Sequence, residues 1–71
     1  MNNDLHSYVH DIFQRHFASD VVDVQVQFLP HEAHASVRVK KILPEMTVLA
    51  EAIEGEFEEL DRQVTINVVV A

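Results

Sequence analysis

The sequence predicts a small α+β domain in the order α-β-β-α-β, with a three-stranded mixed sheet covered on one face by two helices. Three observations carry that expectation. Residues 21–41 alternate apolar and polar on both sides of a Leu29-Pro30-His31-Glu32 turn, the period of two that half-buried strands show. Residues 4–18 and 47–60 instead repeat their apolar residues at helical spacing. Residues 63–71 return to alternation. A strand reached from another strand through a helix crosses over right-handed and lies parallel to a sheet neighbour.

Taken in order, the first helix is expected from Asp4 to about Ala18. Leu5, Val9, Ile12, Phe13 and Phe17 form its apolar side, with His16 among them, and Asp4 suits the helix start and its dipole. Ser19-Asp20 breaks the pattern. The first strand then puts Val22, Val24, Val26 and Phe28 inward, and the second puts Ala35, Val37 and Val39 inward. Ile42-Leu43-Pro44-Glu45 ends the alternation. Thr47 is the expected N-cap of the second helix, with Glu51 in its first turn and Leu49, Ile53, Phe57 and Leu60 as its buried stripe. Gly55 falls on the solvent side, at a cost of about 1 kcal/mol against alanine. The last strand turns Val64, Ile66, Val68 and Val70 inward and Thr65, Asn67 and Val69 outward.

Seventy-one residues make a single domain, residues 1–71. A core this small stabilises a monomer only marginally, and no cysteine is present to staple it or to hold a metal as thiolate. The outward residues Gln25, Gln27, Ser36, Thr65, Asn67 and Val69 are mild, so the uncovered sheet face suits a homodimer. No apolar run approaches the roughly 20 residues of a membrane helix, and MNNDLHSY lacks the basic-then-apolar layout of a signal peptide. A cytoplasmic location is the expectation. The net charge of −7 repels a phosphate backbone and argues against nucleic-acid binding. Seven of the twelve acids lie between Glu45 and Asp61.

No enzyme is expected. Ser7, Ser19 and Ser36 stand in no nucleophile-elbow context, and one glycine cannot build a phosphate-cradling loop. The five histidines are the better lead. His6 and His10, four apart on one helix face, have the spacing that metal sites use. His31 and His34 bracket Glu32 and Ala33 at the turn, with Asp23 at the far end of the hairpin. His16 reads as a core-edge histidine rather than a ligand. The element order also occurs in some RNA-binding folds, but the Gly-x-x-Gly clamp of K-homology domains is missing.

The stretch Val22-Asp23-Val24-Gln25-Val26-Gln27, the segment Met46-Thr47-Val48 followed by Ala50, and the strand Gln63-Val64-Thr65-Ile66-Asn67-Val68 carry a resemblance. Together with the element order, they make the chain resemble the cytoplasmic C-terminal domain of cation diffusion facilitator transporters. The resemblance covers nearly the whole chain. It implies a ferredoxin-like α-β-β-α-β fold, dimerisation and binding of a divalent cation such as zinc, here in a free-standing version of the domain. Asp23 matches the family's first-strand Asp. Where the family usually carries histidines, this chain has Arg38, Ala52 and Asn67, so the other ligands are expected from His31 and His34 or from His6 and His10. The resulting expectation is a homodimeric, divalent-cation-binding or regulatory domain. A protein–protein interaction module without metal is the alternative, and a small RNA-binding domain ranks third.

Overall fold

The structure is a computed structural model that describes residues 2–71, with side chains from Leu5 onward. Five elements follow in the expected order: α1 Asn2–Phe17, β1 Val21–Leu29, β2 Glu32–Val39, α2 Pro44–Glu59 and β3 Val64–Val70. β2 is the central strand, antiparallel to β1 and parallel to β3. This is the ferredoxin-like α-β-β-α-β arrangement. β2 shows its alternation most fully: Ala33, Ala35, Val37 and Val39 are buried and the residues between them are half-buried. Leu5, Val9 and Phe13 of α1 and Met46, Ala50 and Ile53 of α2 belong to the same core cluster, so both helices cover that one face. Burying a side chain such as Phe13, which is 0% exposed, contributes about 1.5–3 kcal/mol.

β1 departs from simple alternation at its start. Val21 pairs with Val39 and Asp23 with Arg38, so Val22 is an extra residue in a β-bulge. Val22 is consequently 47% exposed, and Val21 packs against the core in the place the alternation assigns to Val22. Phe28, opposite Ala33 at the hairpin end, falls outside the core cluster.

α1 buries Leu5, Val9 and Phe13, with Ile12 and Phe17 partly buried beside them. Asp4 lies inside this helix rather than before it, and its side chain is outside the described residues. His16 is exposed rather than at the core edge, because Phe17 takes the inward place in the last turn.

α2 begins earlier than Thr47. Leu43 is the N-cap and Pro44 the first helical residue, where a proline's missing N–H goes unneeded and its fixed φ suits the helix. The Leu43 N–H donates to Met46 Sδ at 3.5 Å, and the Met46 N–H donates to the Leu43 carbonyl at 3.0 Å. Thr47 is therefore an exposed interior residue, and Glu45 rather than Glu51 sits in the first turn, at the positive end of the helix dipole. The buried stripe is Met46, Ala50 and Ile53, flanked by Leu49 and Phe57. Leu60 is the C-cap and is 66% exposed.

The end of α2 is a Schellman turn: the Arg62 N–H donates to the Phe57 carbonyl and the Asp61 N–H to the Glu58 carbonyl. Asp61 takes the left-handed φ of 59° that this turn requires. β3 then buries Val64 and Ile66, half-buries Val68 and leaves Val70 59% exposed at its end.

Candidate functional site

The sheet face opposite the helices is where polar side chains converge. Pairing across the three strands sets them in rows: Asp23, Arg38 and Val69; Gln25, Ser36 and Asn67; Gln27, His34 and Thr65. Glu32 continues the face beyond His34, one pleat along β2. Two amides and a hydroxyl fill the middle row, and an acid–base pair sits at each end. At one end Arg38 Nη1 donates to Asp23 Oδ2 at 2.8 Å. The other Asp23 oxygen, Oδ1, is buried without a hydrogen-bond partner. At the opposite end His34 Nε2 lies 3.0 Å from Glu32 Oε1, with both side chains 39% exposed.

The five sequence-predicted residues do not form one group. Asp23 and His34 occupy opposite ends of the face, as the strand length requires, and the Asp23 carboxylate is engaged by a guanidinium. His31 stays on the exposed turn, and the strand pleat pairs His34 with Glu32 instead. On α1, the His6 and His10 rings stack with their centroids 6.1 Å apart and 6° between planes. His6 Nε2–H donates to the Val24 carbonyl at 2.8 Å, so only its Nδ1 is open. His10 Nδ1 lies 3.5 Å from Asp11 Oδ1. Among the described residues, no group of three or more His, Asp or Glu side chains converges in a way that could hold a metal ion.

Three contacts had no sequence signal because they join residues distant in the chain. One is the His6 bond to β1. The second is a 2.6 Å bond from the Tyr8 hydroxyl to Glu56 Oε1. The third is a 2.6 Å bond from the Ile66 N–H to Glu54 Oε2. The Tyr8–Glu56 contact belongs to a cluster that ties α1 to α2, in which Tyr8 meets Phe57 edge-on at 5.7 Å and the Arg62 guanidinium lies 5.7 Å from the Phe57 ring centre.

Comparison with family models, with curated proteins and with solved structures returns no match. No helix of the described residues is long and apolar enough to cross a membrane.

Proposed function

We propose that this chain is a divalent-cation-binding module without catalytic activity, working as a cytoplasmic homodimer in which each copy supplies Glu32 and His34 to a shared site. The observation that carries this reading is the 3.0 Å separation of His34 Nε2 and Glu32 Oε1. Two ligands on one tetrahedral zinc, each about 2.0–2.1 Å from the metal, lie about 3.3 Å apart. The pair is within a few tenths of an ångström of that spacing, and replacing the shared proton by a metal ion requires the imidazole and the carboxylate to turn so that their lone pairs converge on it. A second copy meeting the uncovered face near His34 would supply the other two corners, giving a set of two imidazoles and two carboxylates. The resemblance to the cytoplasmic domain of cation diffusion facilitators points the same way, although the site differs. There the Asp23 position is a ligand, whereas here Arg38 supplies the positive charge beside it.

Charge supports assembly on this face. A molecule of net −7 repels its own copy, but on this face Asp23 is balanced by Arg38, and Glu32 stands beside a histidine. The alternative, an interaction module without metal, draws on a different observation: His34 and Glu32 already satisfy each other, and one chain alone offers only two ligands.

Zinc binding measured by equilibrium dialysis near neutral pH, with chain mass followed by sedimentation, tests the reading. The parent is expected to bind one zinc per two chains and to associate further when zinc is present, whatever its state in chelator. His34→Ala and Glu32→Gln each lose the zinc, while His6→Ala combined with His10→Ala keeps it. Because a proton competes for the ring nitrogen, binding weakens as the solution is acidified. Zinc bound equally by His34→Ala and the parent would reject the site, and loss of zinc in the α1 double variant would move it to α1.

A further inference from the structure

β3 ends the sheet, and its outer edge is only partly closed. In a parallel pair, each residue directs its N–H and C=O to the same side, and successive residues alternate. The Gln63 carbonyl accepts from the Ala33 N–H at 2.9 Å, and the Ala71 N–H donates to the Val39 carbonyl at 2.8 Å. The odd-numbered residues of this segment therefore face β2, and Val64, Ile66, Val68 and Val70 direct their backbone groups outward. Glu54 Oε2 takes the Ile66 N–H. Glu58, Asp61 and Arg62 gather with Glu54 beside Val64 and Thr65, so charged side chains guard the first half of this edge. Among the described residues, no strand pairs with it beyond Ile66, because the sheet order ends at β3.

The unguarded half has the composition of a strand that accepts another. Residues 64–71 hold no charged side chain in a chain of net −7, and Val69 and Val70 are 38% and 59% exposed. Six of the seven residues of VTINVVV are β-branched and hold the extended conformation stiffly. Soluble proteins usually blunt such an edge with charges, bulges or a covering element. The opposite edge shows two of those devices, the bulge at Val22 and the His6 bond to the Val24 carbonyl.

We infer that the β3 edge pairs antiparallel with β3 of a second copy, about a twofold axis at Val68, to make one continuous six-stranded sheet. Val68 and its counterpart exchange both backbone hydrogen bonds, and each Val70 N–H reaches the Ile66 carbonyl of the other copy. The Ile66 N–H, held by Glu54, is left out, so Glu54 limits the strength of the pairing. A second copy is favoured over an unrelated peptide because the array of donors and acceptors about Val68 is self-complementary under a twofold axis. It is also the stretch where two acidic molecules meet without charge. This contact needs no metal and uses none of the Glu32–His34 face.

The test is run in chelator, so that any cation-linked assembly is absent. Amide hydrogen exchange is followed by NMR over a range of concentrations, alongside sedimentation. The Val68 and Val70 amides are expected to slow as concentration rises, with Asn67 unchanged, as a dimer forms. Val68→Pro removes an N–H that points away from β2, a place where an edge strand tolerates proline. It is expected to keep the far-ultraviolet circular dichroism of the parent and to stay monomeric. Glu54→Ala frees the Ile66 N–H and is expected to tighten the dimer several-fold. Exchange at Val68 that ignores concentration would overturn the inference, as would a parent monomeric throughout or a Val68→Pro variant that dimerises like the parent. So would a mass that keeps growing with concentration, the mark of β3 meeting β1 of the next copy in an open chain. If Val68→Pro fails to fold, the exchange data on the parent decide.

Discussion

Tyr8 is the single tyrosine of the chain and reports on one contact. Its hydroxyl donates to Glu56, and that hydrogen bond, with smaller contributions from desolvation and from the carboxylate's charge, holds the phenol above its ordinary value near 10. The folded phenol keeps its proton to a higher pH than the unfolded one. The stability linked to it is therefore fully present below about pH 10 and is lost as the pH rises through the folded value. Ultraviolet titration should show a single late transition that moves back toward the ordinary value in Glu56→Ala; an unmoved transition would mean that the contact does not persist in solution. No sequence pattern marks this pair, since its members lie on different helices. The Glu32–His34 pair was closer to legible. Residues two apart on a strand share a face, and that rule selects Glu32 for His34 ahead of His31.

At the scale of elements, the order of helices and strands is readable because periods of 2 and 3.6 are hard to confuse over seven or more residues. The failures were of phase. Val21 and Val22 are both valine, so no hydropathy pattern can reveal which one the bulge ejects. Side-chain capping alone favours Thr47 over Pro44 as the start of α2. A proline at the first position and a methionine sulfur accepting from the Leu43 N–H do the work instead.

The C-terminal half of α2 and the turn after it hold glycine and aspartate in each other's better places. Gly55 sits mid-helix with nothing within 4 Å of where a Cβ would be, whereas Asp61 occupies the left-handed position that glycine fills without strain. Gly55→Ala and Asp61→Gly should each stabilise the domain, by about 0.5–1 kcal/mol. The two are expected to act additively in thermal or urea unfolding. A destabilising Gly55→Ala would show that the exposed face of α2 is covered in solution.

The whole molecule is a small polyanion. α2 contains six glutamates and no lysine or arginine, and Glu58 and Glu59 stand at its C-terminal end, where the helix dipole is already negative. Glu54 and Glu58, one turn apart, repel each other. Among the described residues, Arg38–Asp23 is the one ion pair that involves a lysine or arginine. The longest dimension is 31 Å, comparable to the roughly 30 Å screening length of 0.01 M salt. In dilute buffer, therefore, most of these acids act on one another across the entire fold. At 1 M the screening length shrinks to about 3 Å, and the repulsion is confined to nearest neighbours. Sodium chloride should raise the melting temperature in the presence of chelator. A relief of about 1 kcal/mol would correspond to roughly 4–8 °C for a domain this small, and a melting temperature that falls with added salt would mean that attraction outweighs repulsion. Ionic strength thus becomes a condition of the fold: the acid-laden helix that helps to close the core also makes the domain most at ease in concentrated electrolyte.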